Sequence, residues 1–163
     1  MVGTSHASSP RPGRTTIAAL LTCSVTGTVH GLVSLYWATG GSLLTSTVSR
    51  QLAAFGDARW LLFPVAAIKT GFAVLPLILL THHRRLRRAV RVLCWFGAAV
   101  LLLWGGTTAV IGNLVLAGFV HPAGGYDRAA MIGHAWLWDP LFLLWGAALL
   151  IGLLSGRSGT TNA

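Results

Sequence analysis

Four strongly polar residues interrupt the apolar stretches of this sequence: His30, Lys69, Asn113 and Asp139. A buried lysine or histidine can exchange a proton, and a carboxylate can neutralise a lysine or bind a cationic ligand. Asp139 is the one acid that we expect within reach of Lys69. The sequence therefore predicts a buried Lys69–Asp139 ion pair, which would either fix the register of two helices or belong to a binding site.

Two of these residues have a structural explanation as well. Asp139 precedes Pro140, and an aspartate followed by proline is typical of a helix start, with the aspartate as N-cap. His30 lies close to Gly27 and Gly31, which let a neighbouring helix approach closely, so a hydrogen-bonded core histidine is one interpretation. Proton transfer or ligand contact is the other.

The composition indicates which elements hold these residues. Hydrophobic residues make up 54% of the 163 residues and charged residues 9%, whereas soluble domains have about 25% charged residues. The sequence therefore predicts an integral membrane protein. The net charge of +9 comes from 12 basic residues against three acids. We attribute it to loops beside anionic lipid headgroups, and not to nucleic-acid binding.

The hydrophobic pattern predicts an all-α, four-transmembrane-helix bundle, because each apolar run approaches the ~20 residues that cross a bilayer. The transmembrane domain covers residues 17–155, with spans at about 17–38, 60–80, 92–116 and 134–154. Residues 1–16 are expected to be a disordered cytoplasmic tail and residues 156–163 a second cytoplasmic tail.

The arginines predict the orientation, since cytoplasmic loops carry the excess of basic residues. Eight arginines fall on the side that holds both termini and the middle loop, and three fall on the other side. Both termini are therefore predicted to be cytoplasmic. Five arginines of the middle loop are expected to contact anionic headgroups: Arg84, Arg85, Arg87, Arg88 and Arg91. Five aromatic residues are expected at the outer membrane interface: Tyr36, Trp37, Trp60, Trp136 and Trp138.

This orientation places His30, Lys69, Asn113 and Asp139 in the outer half of the bundle, where they would line a small outward-facing pocket. The favoured function is a membrane-embedded binding or accessory protein. A small proton- or solute-coupled transporter and a lipid- or quinone-handling enzyme are the alternatives. No catalytic motif is recognisable, so an enzyme is the less favoured class. Cys23 and Cys94 lack metal-ligand spacing, and neither a metal nor a cofactor is predicted. A homo-oligomer or a membrane-protein partner stays open.

A family resemblance rests on the H-x5-Y-W-A-x-G-G pattern of residues 30–41 and on the later Trp138-Asp139-Pro140. Together with the four-span layout, these residues resemble a family of small bacterial membrane proteins, the domain of unknown function three-nine-nine-five. The likeness covers roughly residues 17–155. It implies an α-helical integral membrane protein without a known activity, so it assigns a role to none of the residues.

Overall fold

The computed structural model describes residues 12–81 and 84–156. Most of the two predicted tails lies outside these residues, as do the side chains of Arg84, Arg85 and Arg87. The expectations for those parts of the chain therefore stay predictions.

The described chain is helical throughout and contains no β-strand in residues 12–81 and 84–156. Its α-helices are α1 (Arg14–Ala38), α2 (Ser49–Phe55), α3 (Leu62–Val74), α4 (Ile78–Thr81), α5 (Arg84–Leu116), α6 (Arg128–Gly133) and α7 (Asp139–Ser155). Short 3₁₀ turns cover Thr45–Val48, Gly56–Leu61 and Leu75–Leu77, and a π-helical turn covers His134–Trp138.

Within the part of the chain that the structure describes, four helical segments are long and apolar enough to cross a membrane, which agrees with the predicted number. They are Arg14–Ala38, Leu52–Leu77, Arg88–Leu116 and Arg128–Ser155. The second and fourth begin earlier than the sequence suggested, at Leu52 and Arg128 and not near residues 60 and 134. The difference arises because the connecting residues are themselves helical and lead into the apolar run.

Helices α1 and α7 form the centre of the bundle. Extensive interfaces join α1 to α3, α1 to α7 and α5 to α7. Accordingly, 44% of the most apolar window is buried in the first and fourth segments, against 22% and 28% in the second and third. We call the end where α1 and α5 terminate the loop end, since residues 39–61 and 117–127 connect the helices there. The opposite end, where α1 and α5 begin, is the arginine end.

Glycines allow the helix backbones to approach closely at two of these interfaces. A Cβ atom on Gly31 of α1 would lie 3.3 Å from the carbonyl oxygen of Ala66 and would overlap the Thr70 side chain of α3. A Cβ atom on Gly105 of α5 would lie 2.8 Å from the carbonyl oxygen of Asp139. The interpretation of Gly31 as a residue that lets a neighbouring helix approach closely is confirmed.

Two hydrophobic clusters fill the bundle, one in each half. The cluster nearer the arginine end includes both cysteines, which are free and fully buried, as predicted. The cluster at the loop end is built on Trp37 and Trp138, which are 6% and 3% exposed. The indole N–H of Trp37 donates to the carbonyl of Leu43, and that of Trp138 donates to Thr47. These two tryptophans thus hold the 43–48 loop from inside the bundle, whereas Tyr36, Trp60 and Trp136 are exposed. The location of the five aromatic residues at the outer membrane interface stays a prediction.

Candidate functional site

The first polar cluster lies where α1 meets α3. The ammonium nitrogen of Lys69 lies 3.2 Å from Nδ1 of His30 and 3.0 Å from the hydroxyl oxygen of Ser34. Ser34 in turn donates its hydroxyl hydrogen to the carbonyl of His30, one turn earlier in α1, at 3.1 Å. We call these three residues the Lys69 cluster.

The bonding pattern fixes the proton positions in the Lys69 cluster. An ammonium group only donates hydrogen bonds, so Nδ1 of His30 accepts from Lys69 and the imidazole proton resides on Nε2. Nε2 is buried and has no hydrogen-bond partner, and His30 is only 4% exposed. The cluster therefore has a hydrogen-bond donor that no group of the described chain accepts.

Aromatic residues of the fourth segment enclose the same cluster on its second side. The His30 ring stacks on the Phe142 ring, with centroids 4.2 Å apart, and lies 5.5 Å from the Trp138 ring. The Lys69 nitrogen lies 5.7 Å from the Phe142 centroid, within the range of a cation–π contact. Helix α7 thus presents rings, and not its carboxylate, to Lys69.

The position of Asp139 follows from the backbone of the fourth segment. Asp139 has helical angles of φ −72° and ψ −40°, and its N–H donates to the carbonyl of His134, five residues earlier. In a regular α-helix, the ring of Pro140 would clash with the carbonyl four residues before it. The wider π turn that ends at Trp138 relieves this clash. Asp139 is therefore inside a continuous helical segment, and its interpretation as an N-cap is wrong.

A different aspartate caps the fourth segment. Oδ1 of Asp127 accepts hydrogen bonds from the N–H groups of Ala129 and Ala130, at 2.9 and 3.2 Å. Its other oxygen accepts from the hydroxyl of Ser49, at 2.6 Å. Asp127 thus begins α6 and ties it to α2, and the cap lies twelve residues before the predicted one.

The second polar cluster is the pair formed by His134 and Asp139. Nδ1 of His134 lies 3.4 Å from Oδ1 of Asp139. The carboxylate is 1% exposed, and its second oxygen, Oδ2, has no hydrogen-bond partner. This pair therefore has an unpaired acceptor, Oδ2 of Asp139, whereas the Lys69 cluster has an unpaired donor, the N–H of His30.

The His134–Asp139 pair lines a groove of about 280 Å³ between α5 and the fourth segment. The groove runs from Tyr126 and Asp127 at the loop end to Trp104 on α5. Trp104 is twelve residues before the end of α5, which corresponds to about 18 Å of helix. The other lining residues are Thr108, Ile111, Gly112, Ala130 and Met131, most of them apolar.

The structure does not bring the four predicted residues into one pocket. Within the described residues, no hydrogen bond or ion pair joins Lys69 to Asp139, so the predicted ion pair is wrong. Asn113 is exposed, and its amide donates to the carbonyl of Ala109 in its own helix, at 2.8 Å. His30 lies with Lys69, whereas Asp139 lies with His134.

Sequence reasoning missed Ser34 and His134 as members of the two clusters. Ser34 follows His30 by four residues, a spacing that places both on one helix face. The signal for His134 was weaker, because a spacing of five residues aligns two side chains only across a π turn. Among residues 12–81 and 84–156, no group of three or more His, Cys, Asp or Glu side chains is arranged to bind a metal.

A family model described as a protein of unknown function, DUF3995, matches residues 27–149. The match includes both polar clusters and the groove. No curated protein and no solved structure matches the chain. Because the match covers most of the chain and agrees with the resemblance seen in residues 30–41, the protein belongs to the DUF3995 family.

Proposed function

We propose that this chain is a multi-pass protein of the bacterial cytoplasmic membrane, with the arginine end on the cytoplasmic side. The four long apolar segments support the first part. The arginine distribution supports the second, because eight arginines belong to the arginine end and its tails and three to the loop end. The loop end then faces the extracytoplasmic side.

Cysteine accessibility tests this orientation. Ser46 and Arg88 are exposed at the loop end and at the arginine end, and the two native cysteines are fully buried. In intact cells, a membrane-impermeant thiol reagent should label Ser46→Cys and leave Arg88→Cys unlabelled until the cells are opened. Labelling of Arg88→Cys in intact cells would reverse the orientation.

We propose further that the protein binds a membrane-soluble ligand in the groove between α5 and the fourth segment. The observation that carries this proposal is the buried carboxylate of Asp139, which lines the groove and has one oxygen without a partner. An unpaired buried acceptor costs about 1–3 kcal/mol, and more when it is charged. A ligand that donates a hydrogen bond to Oδ2 would recover this cost.

The walls of the groove indicate the rest of the ligand. Trp104 and Ile111 are 63% and 49% exposed, and in the proposed membrane their exposed faces contact hydrocarbon. The groove is thus open to the bilayer along its apolar side. The Asp139 carboxylate lies at the end of the groove that is near mid-length of α5. We therefore expect an amphipathic ligand, with an apolar body and a polar end that carries a hydroxyl or amine donor.

Mass spectrometry of molecules that copurify with the protein tests this function. The wild type should retain an amphipathic hydroxyl or amine compound, and Asp139→Asn should retain at least tenfold less. The reason is that a hydrogen bond to a charged group contributes about 1.5–3 kcal/mol. Asp57→Asn, an exposed change at the loop end, is the matched control and should retain the wild-type amount. Equal occupancy in folded Asp139→Asn would contradict the proposal.

A further inference from the structure

Lys69 is a cation for which residues 12–81 and 84–156 provide no counter-ion. The sequence contains three acids. Asp139 pairs with His134, Asp127 caps α6, and Asp57 lies in the 3₁₀ turn at the loop end. The hydrogen bonds of Lys69 go to neutral groups, the imidazole of His30 and the hydroxyl of Ser34. An isolated charge inside a membrane span is costly, so a negative group from outside the chain would stabilise it.

Part of the Lys69 side chain lies at the surface of the bundle, whereas His30 and Ser34 are buried. Lys69 is only partly buried, and its neighbour Ile68 is 71% exposed. Helix α1 packs on both α3 and α7, but no comparably extensive interface joins α3 to α7 in the described part of the chain. The ammonium group therefore lies along the boundary between α3 and α7, over the Phe142 ring, where a lipid chain could lie against both helices.

The depth of Lys69 restricts the size of the negative group. Lys69 is seven residues beyond Leu62, the first residue of α3, which corresponds to about 10 Å along the helix. The hydrocarbon core is about 30 Å thick, so the cluster lies well below the level of phospholipid headgroups. A bulky phosphodiester would have to leave the hydrated headgroup layer to reach this depth. A single carboxylate is smaller, so its desolvation cost is lower.

We infer that the Lys69 cluster binds the carboxylate of a single-chain fatty acid, which enters from the bilayer between α3 and α7. The ammonium group of Lys69 neutralises the carboxylate and donates to it. The N–H of His30 is buried and lies on the side of the ring away from Lys69, so the ammonium group is the donor that meets the carboxylate. This site is separate from the groove, and it depends on membrane insertion but not on the groove ligand.

Photocrosslinking in neutral phosphatidylcholine nanodiscs tests this inference. A fatty acid with a diazirine next to its carboxylate should label peptides from residues 62–74 and 138–145 of the full chain. Both Lys69→Met and Lys69→Gln should reduce this labelling at least tenfold. Arg88→Met, which removes an exposed arginine at the arginine end, is the matched control and should leave it unchanged. Wild-type labelling in either Lys69 variant, with unaltered helical circular dichroism and elution volume, would overturn the inference.

Competition identifies the head group. Unlabelled oleate should suppress the labelling, whereas its methyl ester should not, because the ester has the same chain without the charge. Competition by the methyl ester would show that the chain and not the carboxylate is recognised. Phosphatidylglycerol that competes where oleate fails would show that the anion is a phosphate. Either result contradicts a carboxylate site.

Discussion

The two polar clusters of this protein are opposites in charge and in hydrogen bonding. The Lys69 cluster, on α1 and α3, has a cation and an unpartnered donor, the N–H of His30. The His134–Asp139 pair, on the fourth segment, has a carboxylate oxygen without a partner and lines a groove. Each cluster has the group that would satisfy the other, yet Trp138 and Phe142 of the fourth segment occupy the face toward His30.

Under the two proposals, this difference means that the clusters bind ligands of opposite kind. A bundle that needed its buried polar groups only for stability would pair the lysine with the aspartate, since leaving either buried charge uncompensated is strongly destabilising. Here the Asp139 carboxylate lines the groove beside α5, and the Phe142 ring lies next to Lys69. The separation leaves one site suited to an anion and one suited to a donor, which is the basis of both proposals above.

The largest expected effects come from replacing Gly31 and Gly105, which lie at the helix contacts next to the two clusters. These variants test whether the clusters are independent. Gly31→Leu should push α3 away from α1, and Gly105→Leu should push α7 away from α5, because backbone atoms lie within 3.3 Å of the added Cβ. Such overpacking costs about 1–3 kcal/mol or more in the free energy of unfolding. We expect Gly31→Leu to abolish fatty-acid crosslinking while groove occupancy persists, and Gly105→Leu to have the reverse effect.

The control for these two variants is Gly71→Leu. Gly71 is on α3, and a Cβ atom there would have no heavy atom of another element within 4 Å. Thermal unfolding in detergent should give a midpoint near that of the wild type for Gly71→Leu and lower midpoints for the other two. Similar losses in all three variants, or loss of both ligands in each, would mean that the clusters form a single unit.

The sequence predicted the helical segments of this fold better than it predicted which way each side chain faces. The four segments followed from hydropathy, and the close helix contacts of α1 followed from Gly27 and Gly31. Facing is harder to predict, because lipid and bundle interior are both apolar, so a membrane helix need not carry a strong polar stripe. Asn113, which faces outward and bonds its own helix, shows the consequence.

The π turn explains the largest error in the predicted site. One extra residue in a helical turn rotates the following residues by about 100° relative to a regular α-helix. If residues 134–154 formed a regular α-helix, the Asp139 side chain would point in a different direction relative to the residues before it. Pro140 was the available signal, but it also fits a helix start, and only the backbone distinguishes the two.

The smallest expected effect is the coupling between Lys69 and Asp139, and it tests the separation of the clusters most directly. Residues in a shared ion pair show coupling of about 0.5–3 kcal/mol, whereas independent residues add within about 0.5 kcal/mol. No hydrogen bond or ion pair joins Lys69 to Asp139. The losses in free energy of unfolding of Lys69→Met and Asp139→Asn should therefore add in the double variant. Asn113→Ala, with an exposed side chain, should change the free energy of unfolding by less than about 0.5 kcal/mol and show no coupling to either.

A double variant that is milder than the sum by more than about 1 kcal/mol would mean that α7 turns its carboxylate to the lysine in solution. In that case one pocket, and not two, would hold the ligand.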